Sequence, residues 1–297
     1  MQEQTSKFEI KQPVRTISFD NLTIGSDSSF HFLTENNNKS KPVYALELDI
    51  FNTDEMPESV KKEFQNELKN PAEILKKAQD LPCDIIGLKF NIGENEQNIN
   101  LAKDLLKNLL PLITKPLMII GINNADIDSK LIPELISALD RESIIAFAEE
   151  KTYKSIVPSV TKGNHILSIR TPIDINLAKE MNILTTEMGL SADRILIDTD
   201  MGGLGYGLEY GYSIMERIKL AGFDGDKMLN MPIIAFVGEE TFKTKETKSD
   251  EFSQSWGNLN ERAKMFEITS ASAITAAGAN VIVVKHPQTI KTMKGLV

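Results

Sequence analysis

The sequence predicts an α/β protein folded as a closed (β/α)8 TIM barrel with a short N-terminal β-hairpin extension. Two observations carry this expectation. Eight short runs rich in Val, Ile and Leu, each bounded by turn residues, recur between residues 43 and 285, and helical patterns separate them. Strands that are apolar on both faces and alternate with helices belong to a parallel sheet covered on both sides. Eight such units over roughly 250 residues suit a closed barrel. A doubly wound open sheet is the alternative, and that many strands would ordinarily bring a second domain with them.

Taken in order, residues 1–40 fall outside the repeat and are assigned to an extension, leaving 41–297 for the barrel. Within the extension, residues 14–19 and 29–33 flank Gly25 and can pair as a hairpin over the barrel's N-terminal face. The strands are expected at 43–49, 84–90, 117–122, 143–148, 165–170, 194–198, 232–237 and 280–285. Helices are expected at 98–112, 129–139, 175–188, 208–221 and 261–277. Asp174 is placed to cap the helix that starts at Ile175, and Gly163 to close one that precedes the fifth strand. Two polar stretches, 51–69 and 243–258, read as long loops; the second lies on the side where barrels keep their sites.

Composition narrows the function. The net charge is −9, which argues against a nucleic-acid or anionic-membrane surface. No apolar run approaches the ~20 residues needed to span a bilayer, and the first residues lack the apolar core of a signal peptide. A soluble cytoplasmic protein is expected. The single cysteine, Cys83, excludes a disulfide within the chain and an iron–sulfur cluster held by this chain's thiolates alone.

In a barrel, residues just past the strand C-termini converge on one mouth. Here they are Glu47 and Asp49, Lys89 and Asn91, Asn123 and Asn124, Glu149 and Glu150, Arg170 and Thr171, Asp198 and Asp200, Gly238 and Glu239, and Lys285 and His286. The sixth strand then runs into Gly202, Gly203, Gly205 and Gly207 before an amphipathic helix. This spacing is wrong for a dinucleotide fingerprint and lacks the Gly-Lys-Ser/Thr of a P-loop. The N–H groups at the helix start can still hold an anion or a carboxamide. Two readings stand: contact with a ligand or partner, or a tight turn that packs Tyr206 and Tyr210 under the mouth. So dense a glycine run favours the first.

The remaining candidates are weaker. Asp198 and Asp200 read as an acid–base pair or as metal ligands, but a metal needs further ligands that the spacing does not supply, so helix capping or hydrogen bonding of the loop is expected of them. His286 is a proton carrier or, with Pro287, a turn former. His31, His165 and Cys83 lie off the mouth and read as structural. The run from Lys243 to Lys248 reads as solvated, and Glu216 and Arg217 as surface or intersubunit ion-pair formers. Lys89 or Lys285 could supply a Schiff-base amine, on placement alone. No Ser–His–Asp arrangement stands out.

The segment Gly202-Gly-Leu-Gly-Tyr-Gly-Leu-Glu-Tyr210, followed by Ser213-Ile-Met-Glu-Arg-Ile218, carries a family resemblance. So do Gly225-Asp-Lys-Met-Leu229, Met231-Pro232, Val237-Gly238, Tyr153-Lys-Ser155, Pro172-Ile-Asp-Ile-Asn176, Trp256-Gly257, Ala276-Ala-Gly-Ala279 and His286-Pro287. Together these segments cover most of residues 42–290 in chain order and resemble the small (delta) subunit of the corrinoid iron–sulfur protein of the acetyl-CoA decarbonylase/synthase, or Wood–Ljungdahl, pathway. The chain departs from the family pattern at Asp198-Thr199, where an Asp-Pro pair is usual.

The resemblance implies a heterodimer with a large subunit that carries a [4Fe–4S] cluster and a cobamide. The corrin would lie between the subunits. Its cobalt would take a methyl group from methyltetrahydrofolate or methyltetrahydropterin through a methyltransferase and deliver it to acetyl-CoA synthase. It also implies that Gly202, Gly203, Leu204, Gly205, Tyr206 and Gly207 contact the cofactor or the large subunit, with Thr171, Asp174, Asn176, Asp200 and His286 beside them. The alternative reading is a free-standing, pterin-binding, corrinoid-dependent methyltransferase.

Overall fold

The computed structural model describes residues 10–30, 40–202 and 204–296. A hairpin of β1 (Thr16–Phe19) and β2 (Leu22–Gly25) comes first. Eight strands follow: β3 (Val43–Asp49), β4 (Ile85–Lys89), β5 (Leu117–Ile120), β6 (Ser143–Ala148), β7 (Ile166–Arg170), β8 (Ile195–Asp198), β9 (Ile233–Ala235) and β10 (Val281–Val284). All are parallel, and β10 pairs with both β9 and β3, so the sheet closes into a barrel and no edge is left unpaired. Each strand lies within a run expected from the sequence.

The helices are α1 (Glu58–Phe64), α2 (Pro71–Gln79), α3 (Ile99–Leu109), α4 (Ala125–Ile136), α5 (Tyr153–Lys162), α6 (Ile175–Glu187), α7 (Glu209–Phe223), α8 (Val237–Thr241), α9 (Leu259–Ala277) and α10 (Pro287–Leu296). The excursion at 51–69 is largely helical rather than open loop, because Val60 and Phe64 bury one face of α1 in the outer core. None of the helices among the described residues is long and apolar enough to cross a membrane.

Strand alternation divides the core in two. Along β3, Tyr44, Leu46 and Leu48 pack outward against the helices. Val43 and Ala45 join Ile85, Met118, Ile144, Ile166 and Val281 in a separate cluster inside the barrel. Ile17, Phe19 and Ile24 of the hairpin belong to that inner cluster, so the hairpin plugs the barrel at its N-terminal end. Backbone bonds from Lys11 N–H to Phe223 O (2.8 Å) and from Arg15 N–H to Asn230 O (2.7 Å) fasten it there.

The hairpin differs from expectation in its second arm. β1 turns through Asp20 and Asn21, with Asp20 at φ +52°, and pairs at once with Leu22–Gly25. A two-residue loop needs a positive φ that Asp and Asn tolerate, and this signal outweighs Gly25 as the turning point. Gly25 ends the second strand instead. Of the segment expected as the second arm, Ser29 is buried and Phe30 packs edge-on against Phe223 with ring centroids 5.9 Å apart. Residues 31–33 lie outside the described residues.

A buried ion pair joins this region to the barrel. Asp27 pairs with Lys219 of α7 and accepts a 2.7 Å bond from the Asn280 amide, while Lys219 donates to Gly278 O at 2.8 Å. Asn280 also accepts from Ile233 N–H at 3.0 Å, so the same set of contacts holds the start of β9.

Candidate functional site

The mouth of the barrel is a network of charges, and strand register builds it. Arg170 and Asp198 are direct partners at the ends of β7 and β8, both on the inward row. The Arg170 Nε donates to Asp198 Oδ2 at 2.6 Å, and its Nη2 to Glu239 Oε2 at 2.9 Å. All three side chains are buried. The guanidinium lies 3.3 Å above the centre of the Phe147 ring, which meets Phe236 edge-on. Phe147 points inward because the β6–β7 register shifts between Ala146 and Ala148, so both Ala146 and Phe147 reach the inner cluster. Glu239 is carried by α8, which follows β9 directly, and it also accepts from Asn123 Nδ2 at 3.2 Å and Lys243 at 3.1 Å.

These carboxyls differ in proton affinity. Burial pushes Asp198 up to about 6, with Arg170 opposing the rise and Asp200 adding to it. Burial would raise Glu239 as well, but Arg170 and Lys243 together hold it well below the usual carboxylate range. Across the mouth, Glu47 lies beneath two ammonium groups, Lys285 at 3.3 Å and Lys89 at 3.8 Å. Burial pushes neighbouring Asp49 up to about 6, against a bond from Asn52 N–H and the charge of Lys89. Burial works against a charge on Lys285, but Glu47 and Glu239 outweigh it and the ammonium is held protonated. A Schiff-base amine needs the opposite shift, so this lysine is poorly set up as a nucleophile.

The glycine loop beside this network has two positions that require glycine. Gly202 sits at φ +65° with Ile173 Cδ1 where a Cβ would go, and Gly207 at φ +121° against the Glu209 carboxylate. Gly205 is different: nothing lies within 4 Å of a Cβ built there, and its φ is not positive. Gly203 lies outside the described residues. The loop is pinned from below, since Asp198 Oδ1 accepts from Asp200 N–H at 2.9 Å and Asp200 Oδ1 from Gly202 N–H at 3.3 Å. Hydrogen bonding within the loop thus occupies both aspartates. Among the described residues, no three His, Cys, Asp or Glu side chains are grouped to hold a metal ion.

The tyrosines do not pack under the mouth. Tyr206 is 86% exposed and Tyr210 56%. With Trp256 (58%) and Met265 (53%) they contribute large apolar side chains to the surface on this side of the barrel. An open groove of ≈ 470 Å³ is lined by Leu204, Leu208, Trp256, Arg262, Met265 and Phe266.

The other expected residues are distributed as follows. Asp174 caps α6 by accepting from Asn176 and Leu177 N–H, and both Asp174 and Asn176 are exposed. Thr171 is buried with its hydroxyl unpartnered. His286 is fully buried, accepts from Gln288 N–H at Nδ1, and has no partner at Nε2; burial lowers it to about 4, so it is neutral. Glu267 accepts from the backbone on either side, Lys285 N–H at 2.7 Å and His286 N–H at 3.1 Å. His165 is buried away from the mouth and accepts from Ser143 N–H, and Cys83 is buried against Ala78 O. Asn124, expected at the mouth, caps α4 instead.

Two features escaped sequence reading. Lys243 is not simply solvated, since it bridges Glu239 and Glu240 (2.6 Å). Lys61 of α1 reaches the mouth through a stretch that reads as loop. The i, i+3 and i+4 spacing of Lys243 from the two glutamates was the available signal for the first.

The fold and site define a closed barrel with a charged, polar mouth, flanked by a glycine-rich loop and exposed aromatic side chains. The chain matches the family described as the CO dehydrogenase/acetyl-CoA synthase delta subunit over residues 20–275, and it belongs to that family. It is 25% identical over 245 residues to the acetyl-CoA decarbonylase/synthase complex subunit delta of Methanocaldococcus jannaschii, covering 80% of this chain and 60% of the relative. The corresponding subunit of Archaeoglobus fulgidus is 24% identical over 286 residues, covering 92% and 63%. The chain therefore spans somewhat under two thirds of the length of these curated relatives. In fold it is similar to the dihydropteroate synthases of Xanthomonas albilineans (TM-score 0.60, 10% identity, covering 86% of this chain and 92% of that one) and Burkholderia cenocepacia (0.60, 11%, 96% of each).

Proposed function

We propose that this chain is the small subunit of a heterodimeric corrinoid iron–sulfur protein in the cytoplasm, and that its glycine loop helps cover a cobamide held mainly by the large subunit. The observation that carries this reading is the exposure of Tyr206, Tyr210, Trp256 and Met265 around an apolar groove next to the loop. Aromatic residues and methionine are enriched at protein interfaces, and a cluster of them in water is costly unless something covers it. The residues fit a flat macrocycle. Gly205 presents bare backbone with open space in front of it, and the exposed Tyr206 ring beside it offers a face for stacking.

When bound, the cobamide would supply the methyl-carrying chemistry, and the [4Fe–4S] cluster would belong to the large subunit. This chain's part is shape and shelter. Gly202 and Gly207 fix the loop's path, Asp198 and Asp200 brace it from below, and Leu204 anchors it in the groove. The Arg170 network keeps the adjoining mouth rigid, because each of its charges is already neutralised. The methyl group would come from methyltetrahydrofolate or methyltetrahydropterin through a separate methyltransferase and go to acetyl-CoA synthase.

Co-expression with a candidate large subunit should yield a brown, cobalt-containing heterodimer. Gly205→Val is the sharpest probe, since the position is sterically free and the variant should melt with the parent chain. Cobalt retained per heterodimer should fall several-fold, the effect of losing close backbone approach at an interface. Unchanged cobalt occupancy would overturn the loop assignment. If the chain alone transfers a methyl group from methyltetrahydrofolate to free cobalamin, the free-standing methyltransferase reading replaces this one.

A further inference from the structure

The mouth holds a second cavity that the subunit reading does not use. It measures ≈ 500 Å³ and opens between the loop after β3, the ends of β4 and β10, and the segment that follows α8. That size accommodates a small molecule. It is walled by polar side chains, among them Lys89, Asn123, Glu239 and Lys285, and by Met56, Pro57, Phe242 and Leu259.

Most charged groups facing this cavity are already engaged. Lys61 pairs with Glu58 at 2.9 Å. Lys243 bridges Glu239 and Glu240, and Glu239 is further held by Arg170 and Asn123. Asp49 accepts from Asn52 N–H, and Asp54 and Glu55 are exposed at the rim, where solvent screens them. Lys248 lines the cavity too and is likewise exposed, so among the recessed groups Lys89 and Lys285 are the exception. Their side chains are 16% and 17% exposed, and the carboxylate they share is the same atom, Glu47 Oε1. That oxygen is buried and accepts no well-directed hydrogen bond from either. Two ammonium groups, each with three donors, therefore share Glu47 Oε1 as their one close ion-pair acceptor, while Glu239 and Asp49 act on Lys285 only as neighbouring charges.

We infer that this cavity binds a small molecule with a carboxylate or phosphate group at one end, seated on Lys89 and Lys285, and a compact apolar body against the Met56–Phe242 wall. The anion supplies the acceptors the two lysines lack, and charge-assisted bonds in a recessed site are the strong kind. Glu47 acts as the built-in competitor: it holds the two lysines apart from solvent when the site is empty and is partly displaced as their partner when the anion arrives. The inference stands on the cavity alone and does not depend on the cobamide or on a second subunit.

Titration calorimetry of the full chain with benzoate, phenyl phosphate and, as an uncharged control, benzyl alcohol tests it. One of the two anions should bind saturably and benzyl alcohol should not; which anion binds tells a carboxylate site from a phosphate site. Lys285→Gln and Lys89→Gln should each weaken binding by at least ~10-fold, the size of one charge-assisted hydrogen bond. Glu47→Gln should strengthen it, because the competing charge is gone while the side-chain volume stays. Circular dichroism and melting of each variant establish that it is folded. The opposite signs separate a binding role from a structural one. No saturable binding of either anion, or a loss of affinity in Glu47→Gln matching that of the lysine variants, would overturn the proposal.

Discussion

Replacing Arg170 with methionine should destabilise the chain by about 3–5 kcal/mol, the range for removing one partner of a buried ion pair. The cation is 3% exposed and holds two buried carboxylates at once, so its loss leaves Asp198 without a counter-charge and Glu239 with only Lys243 and Asn123. The deficit should depend on pH, and the sign follows from the charge. Asp198, already raised above its unfolded value by burial, rises further without Arg170, and Glu239 loses the first of the charges that hold it low. A carboxyl so raised is tolerated when protonated, below the unfolded value near 4, and costs stability as pH rises through the folded value. The gap between variant and parent should therefore be widest near neutral pH and narrow toward pH 5. Urea denaturation at several pH values measures it; a gap independent of pH would show that the loss is packing against Phe147 alone. Arg170→Lys should recover only part, because a lysine cannot make the two-sided contact or stack on the ring in the same way.

The second large effect is expected at the opposite end of the barrel. Lys219→Met should also lower stability by about 3–5 kcal/mol, because Asp27 is left buried and charged with only neutral donors, the Asn280 amide and the Ser40 hydroxyl, to hold it. Asp27 is tied to Val14 through the backbone, and Asn280 to the start of β9, so the plug should loosen with it. The double replacement Lys219→Met with Asp27→Leu should recover most of the loss, since a buried pair exchanged for apolar residues is often neutral. Chemical denaturation of the two single variants and the double one closes the cycle. A double variant no better than Lys219→Met would mean that the ion pair does more than cancel its own burial.

These two networks show where sequence reading stops. The barrel strands were legible because a parallel strand covered on both sides must be apolar throughout, and β3 and β6 match their expected runs to the residue. Helix starts were legible where a side chain marks them: Asp174 caps α6 as expected. They were less legible where two roles compete for one residue type. Asn124 read as a mouth residue, and the helix after it was expected only from Ser129; capping by Asn124 starts α4 at Ala125. Helix α1 was hidden by its Lys and Glu content, which reads as a polar loop until Val60 and Phe64 are seen to face the core.

The site divides the same way. The glycine loop announced itself through composition, yet composition treats its glycines as equals. Only the backbone angles and neighbours distinguish Gly202 and Gly207, which require the residue, from Gly205, which leaves open space. The residues of the mouth could be enumerated from strand ends. Their pairing could not, since Arg170 meets partners 28 and 69 positions away.

The sequence by itself determined the barrel, the polar character of its mouth, the position of the glycine loop and the family, because each is written in local patterns of burial, turn chemistry or contiguous motif. Tertiary structure alone decided which charges cancel, which lysines are left short of acceptors, and that Tyr206 and Tyr210 face outward. Those outcomes depend on distances between residues far apart in the chain. Periodicity carries no record of such distances; they arise only when closing the barrel brings the strand ends together.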